Sequence, residues 1–249
     1  AGDDLVDGNG GNDTIHGAEG RDSLLGSAGD DRLFGGADDD TLDGGDGDDR
    51  LDGGEGNDQL AGAAGADVLL GGAGQDHVFG QDGDDLLRGG SGDDQLVGDI
   101  GADRLYGEDG ADLLFGGADA DWLEGGEGDD ELLGEAGDDT LDGGSGDDWL
   151  DGGAGIDLYL LRPGDGHDTI ADSDGQFSVR FEGAASSATL NLVRSGDGST
   201  VMLQFADASV SVASADYKRL TGMMTDAGAV DAAAMLHPTN AGETLLLPG

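Results

Sequence analysis

One residue type in this chain recurs at a spacing that could do chemistry. Aspartate stands at every ninth position from Asp4 to Asp157. Cut every nine residues from Gly8, the sequence falls into 17 units that end at Leu160 without an insertion, and the sixth place of every unit is aspartate. Asp4 takes the same place in the partial unit before them. If two units complete one coil of parallel strands, aspartates two units apart stack on one edge, about 4.8 Å from layer to layer. Two carboxylates that close repel by roughly 1 kcal/mol even in water, and by more near a protein surface.

A cation midway between such layers would lie about 2.4 Å from each, within the 2.3–2.6 Å range of calcium–oxygen bonds. Magnesium prefers roughly 2.0–2.1 Å and a strict octahedron. Zinc would call for histidine or cysteine; the chain has no cysteine, and His16, His77, His167 and His237 form no cluster in sequence. Calcium fits best.

The elements that must hold these aspartates follow from the other places. The first place is glycine in all 17 units, and the fourth is glycine except at Asp38 and Asp119. The eighth is apolar throughout, from Ile15, Leu24 and Leu33 to Leu141, Leu150 and Tyr159, with Val6 before them. Six glycine-rich residues read as a turn, since glycine accepts positive φ. The last three read as a short strand whose middle side chain points inward. Asp38 and Asp119 are expected to take the left-handed conformation with slight strain and no break. Odd and even units then build two facing parallel sheets, and the core is two rows of eighth-place side chains. So thin a core offsets poorly the entropy of ordering so much glycine.

Composition agrees. The formal net charge is -46, and residues 1–160 hold 45 of the 56 acidic side chains against five basic ones. Such a surface disfavours nucleic acid and anionic lipid, both of which are bound by Lys and Arg. Three prolines rule out a collagen helix. No apolar stretch approaches the length of a membrane-spanning helix, so no membrane insertion is expected. The glycine turns are followed by no Gly-Lys-Ser/Thr phosphate loop, no serine sits in a G-x-S-x-G elbow, and no catalytic constellation is apparent. The chain is not expected to be an enzyme.

The pattern G-[G/x]-x-G-x-D-x-[apolar]-x, as in residues 125–133, resembles the calcium-binding nonapeptide of RTX (haemolysin-type) proteins over residues 1–160. The resemblance implies an all-β fold, a right-handed parallel β-roll (β-solenoid) with a small β-rich C-terminal capping domain. It implies calcium ions bridging the sixth-place aspartates of units n and n+2, completed by main-chain carbonyls. One edge would carry Asp4, Asp22, Asp40, Asp58, Asp76, Asp94, Asp112, Asp130 and Asp148. The other would carry Asp13, Asp31, Asp49, Asp67, Asp85, Asp103, Asp121, Asp139 and Asp157. Eight gaps per edge hold up to about sixteen ions. The competing reading is a solvated acidic face on a metal-free solenoid. Fifth-place acids such as Asp30, Asp48 and Asp129 are expected to solvate rather than ligate.

The expected organisation is a roll over residues 1–171, an antiparallel capping segment over 172–215 and a weakly helical tail over 216–249. Residues 163–171 read as one more degenerate unit, in which Asp168 is an extra candidate ligand. Apolar or alternating runs at residues 177–181, 190–193, 201–205 and 210–212 read as antiparallel strands shielding the last coil. The first residues fall inside a repeat, which suggests a longer protein. The end, with Glu243 before Leu245, Leu246 and Leu247, reads either as the start of another repeat block or as a type I secretion signal.

Three roles follow from the resemblance: a module of a bacterial secreted or cell-surface protein that passes the type I secretion machinery unfolded and folds on extracellular calcium, a stiff spacer in a surface adhesin, or the tail of a secreted enzyme. The ninth places Phe79, Val97, Phe115 and Leu133 fall on adjacent layers of one outward row. That row reads either as covered by a cap or missing domain, or as a contact strip for self-association or a surface ligand.

Overall fold

A computed structural model describes residues 1–162, 164–171 and 176–181, together with the backbone of strands Thr189–Arg194, Thr200–Gln204, Ser209–Ala213, Gly222–Thr225, Gly228–Val230 and Glu243–Leu246. Every regular element among the described residues is a strand, and no helix there is long and apolar enough to cross a membrane. Successive strands alternate between two sheets. One begins with Leu5–Asp7, Ser23–Ala28 and Thr41–Asp46; the other begins with Thr14–Glu19, Arg32–Ala37 and Arg50–Glu55. We call them the first and second sheet. Within each, neighbouring strands of the array pair in parallel with a shift of 18 residues, as in Leu24↔Leu42 and Leu33↔Leu51. The expected two-unit coil is therefore the coil observed.

The eighth-place residues are the core. Leu24, Leu33 and every later eighth-place side chain through Leu150 and Tyr159 are buried. Their neighbours at places seven and nine face outward, so the eighth place supplies the core and the residues on either side of it do not. The interior continues through Leu161, Ile170, Phe177 and Val179, with Phe177 edge-on to Tyr159 at 5.5 Å.

Two expectations about the elements change. From Thr14–Glu19 to Thr140–Ser145 the strands run six residues, not three: Ser23–Ala28, for example, spans places seven to nine and the first three places of the next unit. The ladder skips only the first-place glycine, pairing Leu25↔Asp43 and then Ser27↔Gly45. Half of the supposed turn thus bonds to the layers on either side, because its N–H and C=O groups need partners as much as any others. Positive φ is confined to places two and four; Asp38 and Asp119 take it at 78° and 80°, as expected, and the coil continues past both. Eight units also tolerate it at place two without glycine, from Asn9 at 68° to Ala18 at 87°.

The second change concerns the end of the roll. Gln176–Phe181, expected as an antiparallel strand of the cap, pairs in parallel with Ile156–Leu161 and prolongs the second sheet. Its Phe177 and Val179 continue the eighth-place row inward, which favours stacking on the last coil over crossing it. Parallel stacking goes on beyond it, with Ser209–Ala213, also expected to be antiparallel, lying parallel to His167–Ile170, and Gly222–Thr225 parallel to Gln176–Phe181. Antiparallel pairs are added to these: Thr189–Arg194 with Thr200–Gln204, and Thr200–Gln204 with Ser209–Ala213. Within the stretch expected to be helical, Gly222–Thr225 and Gly228–Val230 form an antiparallel pair. Most of residues 231–249 lie outside the described residues.

Candidate metal centre

The site repeats with the coil, so one layer describes it. Place six directly precedes the strand, and its backbone is held by the ladder: the carbonyl of Asp58 accepts from the N–H of His77 one layer on, at 2.9 Å. Its side chain turns back towards the previous layer. There Asp58 Oδ1 accepts the N–H of Asp40 at 2.7 Å. The same bond links Asp76 to Asp58, Asp94 to Asp76 and Asp112 to Asp94, each at 2.8 Å. On the other edge it links Asp67 to Asp49 and Asp85 to Asp67 at 2.7 Å.

One oxygen of each carboxylate is thereby used. The other, Oδ2, is buried and without a hydrogen-bond partner at Asp13 and at every later sixth place through Asp148. Orphaned carboxylate oxygens at one per unit are costly, since a buried polar atom without a partner forfeits its hydration.

The invariant first-place glycine explains where these oxygens point. A Cβ added at Gly71 would lie 2.5 Å from Asp76 Oδ2 and 2.6 Å from the carbonyl oxygen of Gly89, one layer on. Gly71 does not need positive φ. It is glycine because its missing side chain leaves a small space into which a carboxylate oxygen and a main-chain carbonyl of adjacent layers converge. From the sequence this glycine reads as a turn residue that accepts positive φ and lets main-chain carbonyls crowd inward; its strict invariance, against the variable second place, is the signal for a steric requirement.

Electrostatics records the strain of this arrangement. Burial, reinforced by neighbouring carboxylates and opposed by the backbone N–H, pushes Asp58, Asp67, Asp94, Asp121 and Asp130 up to about 7. Burial pushes Asp85, Asp103, Asp112 and Asp139 up to about 6. These groups are nearly inaccessible and still face one another along each edge.

The candidate residues are not equivalent. Asp22 to Asp157 are buried, Asp13 is half-buried and Asp4 is exposed at the open first layer. Asp168 falls into the same ladder after the two-residue insertion at Leu161 and Arg162, but its Oδ1 reaches the N–H of Asp148 only at 3.4 Å. It is buried, and burial together with the Asp148 charge pushes it up to about 8. The fifth-place acids have a part that was not foreseen. Asp48 Oδ1 accepts the N–H of Ala66 at 3.0 Å, and Asp129 Oδ1 that of Asp147 at 2.9 Å. This second, exposed ladder points the opposite way along the coil from the sixth-place one.

The donor set suits a hard cation. Each gap offers an unpartnered carboxylate oxygen beside a main-chain carbonyl, with no nitrogen or sulfur donor among them, which is the chemistry calcium prefers. No group of three or more histidine, cysteine or acidic side chains converges among the described residues. An ion held here must draw on the main chain as well as on aspartate.

The family model for the RTX calcium-binding nonapeptide repeat, which spans four copies of the repeat, matches residues 1–24, 25–60, 61–96, 88–123, 97–132 and 124–159. No curated protein matches the chain significantly. Among solved structures, the chain is similar to a hyperactive, Ca2+-dependent, β-helical antifreeze protein from an Antarctic bacterium, with 19% identity, 92% of this chain and 95% of that one covered, and a TM-score of 0.31. It is similar to the extracellular lipase LipA from Serratia marcescens with 19% identity and a TM-score of 0.34, covering 81% of this chain and 39% of the lipase. The AlgE6R3 subunit of the Azotobacter vinelandii mannuronan C5-epimerase aligns with 26% identity, 68% and 89% coverage and a TM-score of 0.23. The family match covers residues 1–159, and the chain belongs to the RTX calcium-binding nonapeptide repeat family.

Proposed function

We propose that this calcium-binding repeat module folds when it takes up calcium outside the cell, as part of a larger secreted or surface protein exported unfolded through type I machinery. The observation that carries the reading is the file of orphaned Oδ2 atoms along each edge. When bound, calcium would supply positive charge to oxygen ligands at flexible geometry. The residues that would hold it are the sixth-place aspartates of both edges, with first-place carbonyls beside them and Asp168 at the last, two-residue-shifted layer. The chain's own groups divide the work. Oδ1 fixes the carboxylate to the preceding layer, Oδ2 faces the gap, and the first-place glycine keeps the gap open. Extracellular calcium, near the weak end of protein sites, would then provide folding free energy that the thin core does not.

Equilibrium dialysis tests this reading. The chain is expected to take up about sixteen calcium ions and little magnesium at equal concentration. Uptake of one or two ions, or magnesium bound as readily, would overturn it.

The module would serve equally as a stiff spacer in a surface adhesin or as the tail of a secreted enzyme. One observation favours a contact role: Phe79, Val97, Phe115 and Leu133 are register neighbours on the first sheet, half-buried and facing outward. Replacing Phe79 and Phe115 with Ser should abolish self-association in sedimentation and leave calcium-induced folding intact; association that persists would remove the strip from the account.

A further inference from the structure

The nine-residue period breaks once, after the seventeenth unit, and the break carries side-chain contacts that no other layer has. The second sheet keeps its shift of 18 as far as Asp142↔Leu160, and the next bridge, Gly146↔Gly166, has a shift of 20. Two extra residues therefore fall between Leu160 and Gly166. Leu161 takes the first place, which is glycine in all 17 units, and its side chain joins the core. Arg162 follows and pairs with Asp142 Oδ2 one layer back. Asp142 is fully buried, whereas the other ninth-place acids, Asp7, Asp43, Asp52, Glu124 and Asp151, are exposed or half-buried. Backbone bonds close the segment. The Arg162 N–H donates to Asp165 Oδ2, and the Gly146 N–H donates to the Asp165 carbonyl at 2.6 Å. The fifth-place ladder then resumes, with the His167 N–H on Asp147 Oδ1 at 2.9 Å. Asp168 comes next, buried, its Oδ1 3.4 Å from the Asp148 nitrogen where the earlier layers have 2.7–3.0 Å. Asp148 Oδ2 is buried and unpartnered there, as in the rest of the file.

We propose that Arg162 is the positioning residue of the last gap: its pairing with Asp142 gathers the two extra residues into a strap that returns Asp168 to the file beside Asp148. The proposal rests on the calcium reading and adds to it a residue outside the repeat. Register supports it. Asp165 and Asp168 are three residues apart on one backbone, so a strap that slips carries the carboxylate away from the gap. Charge supports it as well. A carboxylate buried as deeply as Asp142 requires a cation, since one left unpaired away from water is strongly destabilising. Arg162 is the one arginine or lysine between residues 141 and 171. The same ion pair therefore keeps Asp142 buried and holds the strap against the coil.

Hydrogen–deuterium exchange of the full chain during a calcium titration tests this, because exchange reads local opening layer by layer. The last-layer amides are those of Thr169, on the Asp148 carbonyl, and Ala171, on the Leu150 carbonyl; Gln59 and His77 report the array. In Arg162→Ser the calcium needed to protect the last-layer amides should rise roughly fivefold, with the array amides protected as before. Excess calcium should restore that protection, which separates positioning from plain loss of structure. Asp142→Asn should act like Arg162→Ser, the double variant should be no worse than either, and Arg162→Lys should recover most of the loss. Asp168→Asn should cost the last-layer amides their own response to calcium. The proposal is overturned if Arg162→Ser leaves the last-layer midpoint unchanged, if excess calcium never restores protection, or if Asp168→Asn keeps the response intact. Array amides that ignore calcium in the unmodified chain would overturn the calcium reading instead, and the proposal with it.

Discussion

At the scale of the residue, two adjacent glycines separate the roles that glycine plays here. Gly71 stands where a Cβ would enter the gap beside Asp76 Oδ2, whereas Gly72 stands at the second place, which eight other units fill with Asn, Ala, Ser, Gln, Asp or Glu. Gly71→Ala should cost roughly 2–3 kcal/mol through overpacking and raise the calcium needed for folding. Ala63→Ser, at a second place that already carries a side chain at φ 80°, should cost under about 1 kcal/mol. Calcium titrations of thermal unfolding check both, and equal effects would contradict the steric assignment. The sixth-place aspartates were legible in the sequence because one residue type holds that place in all 17 units. The split between their two oxygens was not, because it depends on which backbone N–H the fold brings within about 3 Å of each carboxylate.

At the scale of the element, each coil is joined to its neighbours by two side-chain ladders of opposite sense. The sixth place reaches backward, as Asp58 does to the N–H of Asp40, and the fifth reaches forward, as Asp129 does to the N–H of Asp147. The fifth-place bond needs an acceptor and no charge, since Asn57 makes it to Gln75 at 2.8 Å. Asp129→Ala should therefore destabilise the calcium-loaded roll by about 1 kcal/mol, and Asp129→Asn by much less. Chemical unfolding at fixed calcium measures the difference; equal losses would show that the acids merely solvate the edge, the role expected of them from sequence. Strand length was misjudged for a related reason. Glycine-rich composition signals a turn, yet places two and three keep their ladder bonds, because positive φ at one residue does not prevent the next from pairing. Gln176–Phe181 escaped its parallel assignment because an alternating strand carries no mark of direction until a partner is known.

At the scale of the whole molecule, the stacked carboxylates make folding answer to protons as well as to calcium. An unfolded aspartate titrates near about 3.9; in the roll, burial raises Asp58, Asp67, Asp94, Asp121 and Asp130 to about 7 and several others to about 6. The folded form therefore binds more protons than the unfolded one between these values. The resulting stabilisation is complete below about 4 and is lost as pH rises through about 6 to 7. Protein dialysed free of divalent ions should show strand signal at about pH 5 and lose it by about pH 7.5. An ion-free roll that gains stability as pH rises would contradict the burial of these groups. The charge asymmetry of the chain was plain from composition and the two-row core from the apolar eighth place of the repeat; the segregation of arginine onto one sheet emerges only when alternate units are assigned to opposite faces.

Far-UV circular dichroism at about pH 7.5, read as calcium is added to ion-free protein and then withdrawn with chelator, bears most directly on the claim that unpartnered aspartate oxygens hold the coils apart until calcium joins them. Strand signal should appear with calcium, fail to appear with magnesium, and vanish on chelation. A full strand signal before any calcium is added, or one that survives the chelator, would contradict the account.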